Sequence, residues 1–143
     1  MSIHQISVFL ENRAGQLAEL TRLLANNGVD MRAISIAETA DYGVVRIIAD
    51  DSQKASAVLL EHGAILSVTP VWAVEVPDQA GGLATLLEVL AANNISVEYM
   101  YSLFTHREGM AYMVLRVADE AAFRKTAEEN GIRIMSAAEL GLK

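Results

Sequence analysis

The period of the apolar positions changes several times along the chain, and each change marks an element. Residues 3–10 (Ile3, His4, Gln5, Ile6, Ser7, Val8, Phe9, Leu10) alternate loosely and then become continuously apolar, which predicts a central strand. From about residue 15 to residue 27 the period lengthens to that of a helix. Leu17, Leu20 and Leu24 form one stripe, and Glu19, Arg22 and Asn26 lie away from it. Asn27-Gly28 ends this helix, with Gly28 free to take a left-handed cap. Residues 29–38 and 44–49 predict two further strands, with Asp41-Tyr42-Gly43 as the hairpin turn between them. Asp50, Asp51 and Ser52 are N-cap candidates for a second helix that carries Ala55, Val58 and Leu59 and ends at His62-Gly63. Residues 64–68 predict a short fourth strand, and Thr69-Pro70 a break.

The pattern then restarts. An offset of 66 aligns Val8 with Val74, Gly15 with Gly81, Leu17 with Leu83, Leu24 with Leu90 and Asn27 with Asn93. It also puts Asn94 where Gly28 was, and both residue types tolerate left-handed backbone. Nine of 29 positions match between residues 8–36 and 74–102, and Gly43 and Gly109 keep the offset. The third strand of the second copy then lengthens by about two residues, so that Asn130-Gly131 mirrors His62-Gly63 at an offset of 68. Asp119 is the N-cap candidate of the last helix, and residues 132–135 begin the last strand. Each copy reads β-α-β-β-α-β. That order builds a four-stranded antiparallel sheet with both helices on one face, so the fold class is α+β, two ferredoxin-like units in tandem, at residues 1–69 and 70–143. The second copy's first helix carries Leu83, Leu86, Leu87, Val89 and Leu90, a stripe wider than one sheet needs, which suggests contact with the other copy or a second chain.

Composition narrows the function classes. The net charge is −7, and the acidic excess is shared: five Lys/Arg against eight Asp/Glu in residues 1–70, six against ten in 71–143. Neither half offers a basic face for a phosphate backbone, which argues against nucleic acid. The absence of cysteine excludes disulfides, thiolate-bound metal and a thiol nucleophile. No apolar run approaches the roughly 20 residues of a membrane span, and residues 1–5 do not read as a signal peptide, so the expected setting is cytoplasmic with no membrane partner. His4, His62 and His106 fall in three different elements without metal-site spacing. Asp50-Asp51 and Glu128-Glu129 sit at helix ends, where capping or solvated charge is the ordinary explanation. No catalytic constellation, metal set or cofactor loop is legible.

The two strand-to-helix corners stand out: Asn12-Arg13-Ala14-Gly15-Gln16-Leu17 and Asp78-Gln79-Ala80-Gly81-Gly82-Leu83. Each brings a glycine and free backbone N–H groups to the start of a helix, a place suited to a small carboxylate. On this reading the N–H groups near Ala14, Gly15 and Gln16, and near Ala80, Gly81 and Gly82, hold a ligand carboxylate, while Asn12 and Asp78 hold its ammonium group. Gly82 in place of Gln16 is expected to leave more open space at the second corner. The plainer reading is that each glycine serves only the turn. In the second strands, strict alternation puts Met31, Ala33 and Ser35 opposite Arg32, Ile34 and Ile36, and Val97, Tyr99 and Tyr101 opposite Glu98, Met100 and Ser102. Tyr99 reads as aromatic core, and Tyr101 fits core and pocket equally. Ile34, Ile36 and Met100 would share a face left uncovered by helices, and that face would meet a partner.

These residues resemble the ACT domain family, a regulatory module that shares its name with aspartate kinase, chorismate mutase and prephenate dehydrogenase. The resemblance spans nearly the whole chain as two copies. It rests on the corner at residues 12–17 with Asn27-Gly28, and the corner at residues 78–83 with Asn93-Asn94. Ala14 and Ala80 stand where the family usually has proline before the glycine. The resemblance implies a non-catalytic sensor that binds an amino acid where the corner of one unit meets the second strand of its neighbour. Carried onto this chain, that adds Ser35, Met100 and Tyr101 to the corner residues. It further implies an amino-acid-metabolising enzyme as partner, and the wide stripe on the second copy's first helix adds the expectation of a homodimer. Two other classes stay open: an interaction or scaffold subunit with no ligand of its own, and a small ferredoxin-like enzyme.

Overall fold

Among the described residues ten elements follow the β-α-β-β-α-β plan twice, with one long strand closing the first copy and opening the second and no final strand in the second. They are β1 (Ile3–Glu11), α1 (Gln16–Asn26), β2 (Met31–Glu38), β3 (Tyr42–Ala49), α2 (Ser52–Glu61), β4 (Ile65–Pro77), α3 (Gly82–Ala92), β5 (Val97–Ser102), β6 (Met110–Val117) and α4 (Glu120–Asn130). The structure is a computed structural model and describes residues 1–11, 13–38 and 42–143. The chain divides into two units. The N-terminal unit comprises His4–Pro70 with Gly141–Lys143, and the C-terminal unit comprises Val71–Leu140 with Met1–Ile3.

In the N-terminal unit the strands lie in the order β2-β3-β1-β4, with β1 and β2 both antiparallel to β3. Ile6, Val8, Val45 and Ile47 point from one face of this sheet into a core closed by Leu20 and Leu24 of α1 and Ala55 and Leu59 of α2. The C-terminal unit repeats the plan: β4 pairs with β6, and β6 with β5. Trp72, Val74, Val76, Leu115 and Val117 meet Leu86 and Leu90 of α3 and Phe123 of α4. The helix boundaries follow the local chemistry. Asp51 and Asp119 cap α2 and α4 by accepting from the Lys54 and Ala122 N–H groups. Gly28 and Asn94 take positive φ just beyond α1 and α3.

Four local expectations need correction. Thr69-Pro70 does not break the chain: β4 runs through Pro70, where the chain passes from one unit to the other. An extended backbone accommodates the proline ring's fixed φ. Residues 132–135 form one β-bridge, Val74 with Ile134, rather than a named strand; Arg133 O accepts from Glu75 N at 3.0 Å and Ala73 O from Met135 N at 2.7 Å. Tyr42 and Gly43, assigned above to the turn, pair with Glu11 and Leu10 inside the sheet, while Asp41 lies outside the described residues. The fourth correction concerns the second strands. A register shift falls between Met31 and Ala33, and another between Val97 and Tyr99. Each extra residue, Arg32 and Glu98, resets the alternation. Ile34 and Met100 therefore pack on the helix-side cores together with Met31 and Val97, and are not on an uncovered face.

On the sheet face away from the helices the two units differ at equivalent positions. In the C-terminal unit the Glu75 carboxylate, 5% exposed, accepts from Arg107 Nε at 2.7 Å and Nη2 at 2.8 Å, and from Arg133 Nη1 at 3.1 Å. Arg133 also donates to Glu139 at 2.8 Å, and Glu139 accepts from Ser136 N at 2.8 Å. The network ties the hairpin before β6 and the chain end to β4. The Arg107 hydrogen bonds hold the Glu75 carboxyl below the ordinary glutamate range, and the Ser136 N–H does the same for Glu139. At the corresponding sheet positions the N-terminal unit has Phe9 for Glu75 and Ile65 for Arg133, 46% and 71% exposed.

The depressed Glu75 pKa fixes the sign of its effect. Its contribution to stability is present in full above the unfolded-chain value of about 4.3 and disappears as pH falls through the lower folded-state value. Urea unfolding of Glu75→Gln should show a loss of about 1–3 kcal/mol at neutral pH. Its stability should also fall less steeply than wild type below about pH 4. Parallel pH profiles for the two proteins would show that the network does not contribute.

Candidate functional site

The two corners have the same hydrogen-bond pattern at the repeat offset. Gly15 and Gly81 are the N-caps of α1 and α3, at φ 87° and 85°, and neither helix has a side-chain cap. This left-handed backbone is what glycine supplies at little cost. In the first corner Arg13 N donates to Glu11 O at 3.0 Å, Gln16 N to Arg13 O at 3.4 Å and Glu19 N to Gly15 O at 2.9 Å. In the second, Gln79 N donates to Pro77 O, Gly82 N to Gln79 O, and Thr85 N to Gly81 O at 3.0, 3.0 and 2.9 Å. Thr85 Oγ1 also donates to Gly81 O, and Asp78 N donates to Gly109 O, which links the corner to the hairpin tip.

The pattern revises which amides face outward. The Gln16 and Gly82 N–H groups close the turns themselves. At the second corner the N–H groups of Ala80, Gly81, Leu83 and Ala84 have no backbone acceptor among the described residues. These are the donors at the positive end of α3.

Each corner opens into a cleft on the helix side of its own unit. In the C-terminal unit it measures about 420 Å³ and lies between the start of α3, the end of β4 and the turn after α4. Gln79, Ala80, Gly81 and Gly82 line it, with Thr85, Val89 and Ile132 facing them. Part of the wide apolar stripe on α3 is thereby explained, since Val89 lines this cleft while Leu86 and Leu90 enter the core. The N-terminal unit has a cleft of about 400 Å³ at the equivalent place, with Arg13 and Gln16 in its lining. Arg13 lies 3.5 Å from Glu11, and with the Gln16 amide turned so that its oxygen faces the guanidinium, Arg13 donates to that oxygen from Nε at 3.0 Å and Nη2 at 2.7 Å. A smaller hollow of about 180 Å³ joins Arg13, Gln16 and Leu17 to Ile36 of β2.

The remaining candidates are scattered within each unit. Asn12 lies outside the described residues. Ala14 is exposed at its corner, and so are Asp78 and Leu83 at theirs. Ser35 pairs across the ladder with Arg46 on the face away from the helices, and Tyr101 with Val114 at the equivalent position. Tyr101 is buried, Met100 packs in the helix-side core, and neither lines its unit's corner cleft. The extra room expected at Gly82 is not there. A Cβ on Gly82 would stand 2.0 Å from the Pro77 carbonyl oxygen, so glycine lets the helix start pack against the strand end. Missing from the sequence reading were Thr85, Val89, Asn130 and Ile132, brought to the corner only by the crossing of α3 and the end of α4. Their signal was the mirrored helix end, His62-Gly63 and Asn130-Gly131. Among the described residues no group of three or more His, Asp or Glu is placed to hold a metal, and no helix is long and apolar enough to cross a membrane.

The family profile described as an ACT domain pair matches residues 1–140. A crystal structure of a protein from Bacteroides thetaiotaomicron is 33% identical, with a TM-score of 0.91 over 99% of this chain and 96% of that one. The ligand-free regulatory subunit of aspartate kinase from Thermus thermophilus shares the fold at 18% identity and TM-score 0.64, covering 88% of this chain and 91% of its own. The corresponding subunit from Thermus flavus does so at 18% and 0.56, covering 90% and 93%. No curated protein matches significantly.

The glycines of the second corner should respond differently to a methyl group. Gly81→Ala meets open space but a left-handed φ, and should cost about 1–2 kcal/mol. Gly82→Ala forces backbone apart and should cost about 3 kcal/mol, whereas Gln16→Ala at the equivalent place should cost under about 0.5 kcal/mol. Chemical denaturation measures all three, and a Gly82→Ala loss below that of Gly81→Ala would contradict the packing argument.

Proposed function

This chain belongs to the ACT domain family as a domain pair, and on that premise we propose that it is a regulatory protein that binds a free amino acid at its glycine corners, without catalytic chemistry of its own. One observation carries this reading: the same uncapped, left-handed glycine corner occurs twice, each time opening into a cleft of 400–420 Å³. That is near the lower end of the roughly 300–1,000 Å³ of small-molecule sites, and suits a single amino acid better than a nucleotide. Outward amides at the helix start meet the carboxylate, and Asp78 in the second corner, or Asn12 in the first, meets the ammonium group. The likeness in fold to regulatory subunits of aspartate kinase supports a sensing role, with an amino-acid-metabolising enzyme as the protein that reads it. The mechanism is population shift: the ligand binds one arrangement of ACT units more tightly than another, and the difference in affinity sets the size of the response. The setting proposed is the cytoplasm.

A second reading is favoured by Phe9 and Ile65, large apolar side chains exposed on the N-terminal unit's sheet where the C-terminal unit has an ion pair. There the sheet is an assembly face, and the chain forms a homodimer through it whether or not it binds a metabolite.

A thermal-shift screen of the standard amino acids tests the first reading. At least one should raise the melting temperature in a concentration-dependent way. Gly15→Val or Gly81→Val should abolish that response while circular dichroism shows a folded protein; a response that survives both changes places the ligand elsewhere. The second reading is checked by sedimentation. Wild type should be dimeric, and Phe9→Asp with Ile65→Asp should raise the dimer dissociation constant at least tenfold. A monomeric wild type, or a dimer indifferent to the two changes, removes it.

A further inference from the structure

The two clefts sit at the same repeat position and have nearly the same size, yet their walls differ in charge. The lining of the N-terminal cleft includes Arg13, Glu19 and His62. The repeat offsets put Gln79, Thr85 and Asn130 at those places in the C-terminal cleft, so every ionisable side chain of the three has become neutral. The body of the C-terminal cleft is made by Val76, Leu86, Val89 and Ile132. One acidic residue, Glu75, also borders it, but its carboxylate is held by Arg107 and Arg133.

We infer that the C-terminal corner takes an amino acid with an aliphatic side chain, which lies against Val76, Leu86, Val89 and Ile132. The inference rests on the amino-acid reading of the corners and adds the class of side chain. A charged side chain finds no free counter-charge on these walls, so it keeps its water and leaves the apolar lining uncovered. An aliphatic one gains about 0.8 kcal/mol for each CH₂ group removed from water. The neutral polar side chains in the lining are Gln79, Thr85 and Asn130, and two of them already donate within the protein. Thr85 donates to Gly81 O, and the Asn130 amide donates to Thr126 O at 2.9 Å.

The test titrates full-length protein with L-leucine, L-isoleucine and L-valine, and with L-aspartate, L-glutamate, L-lysine and L-threonine, followed by thermal shift. The aliphatic set should stabilise the protein, with apparent Kd at least tenfold below that of the charged set. Val89→Asp should raise the L-leucine Kd at least tenfold. Leu23→Asp, at the equivalent place in the N-terminal cleft, should leave it unchanged. Methyl NMR with L-leucine gives a readout that needs no variant: the Val89 and Ile132 methyl signals should move, and those of Leu23 should not. Stabilisation only by charged or hydroxyl-bearing amino acids, lost on Gly81→Val, would overturn the aliphatic class and leave the amino-acid reading standing. An L-leucine response that moves Leu23 and ignores Val89→Asp would overturn the assignment of the cleft. No response to any amino acid would overturn both.

Discussion

The left-handed turn at Gly15 and Gly81 is the constraint on which each unit depends. A central strand must end, reverse and deliver a helix across the same sheet within about four residues. With φ near +85° at the N-cap, the chain changes direction at one residue and the helix starts directly beneath the strand it has left. From there Leu20 and Leu24, or Leu86 and Leu90, reach the sheet in register with Val8 and Val45, or Val74 and Leu115. A residue with a Cβ could occupy either glycine position spatially, because nothing stands within 4 Å. The restriction lies in the backbone. At the second corner it leaves the first amides of α3 without backbone acceptors, beside the cleft that Ala80, Gly81 and Gly82 line.

The duplication kept this turn and released the rest. Three backbone hydrogen bonds repeat at the two corners, while the surrounding surfaces have separated in chemistry. On the open face of the sheet, exposed Phe9 and Ile65 in one unit stand where Glu75 and Arg133 form an ion pair in the other. In the clefts, Glu11, Arg13, Glu19 and His62 stand where the other copy has Pro77, Gln79, Thr85 and Asn130. These positions lie outside the two hydrophobic cores, so a change there leaves the packing of helices on sheet undisturbed. Two clefts of similar size and unlike lining on one scaffold are the physical outcome.

Much of the architecture was legible from residue order, because it is governed by short-range rules. Helical spacing of leucines, Asp51 and Asp119 as caps, and Gly28, Asn94 and Gly131 beyond helix ends are local effects, and all stand where the pattern predicts. The doubled pattern carried the fold class, since a β-α-β-β-α-β order leaves few antiparallel solutions. The site was legible only as far as the corners. Strict alternation misplaced Ile34 and Met100 because a bulge costs one residue of phase and leaves no mark in composition. The one hint was that a charged residue, Arg32 or Glu98, sits at each inserted place.

By itself the sequence determined the repeat, its elements and the two glycine turns, because each depends on residues within a few positions of one another. Tertiary structure alone decided what those turns face. Gly82 owes its identity to the Pro77 carbonyl, five residues away in the chain but pressed against it by helix packing. Glu75 became a buried ionic hub because Arg107 and Arg133, 32 and 58 residues distant, fold back onto it. Ile132 reaches the cleft only because α4 ends beside α3. Such contacts are set by how elements cross, and that geometry is a property of the packed chain rather than of any stretch within it.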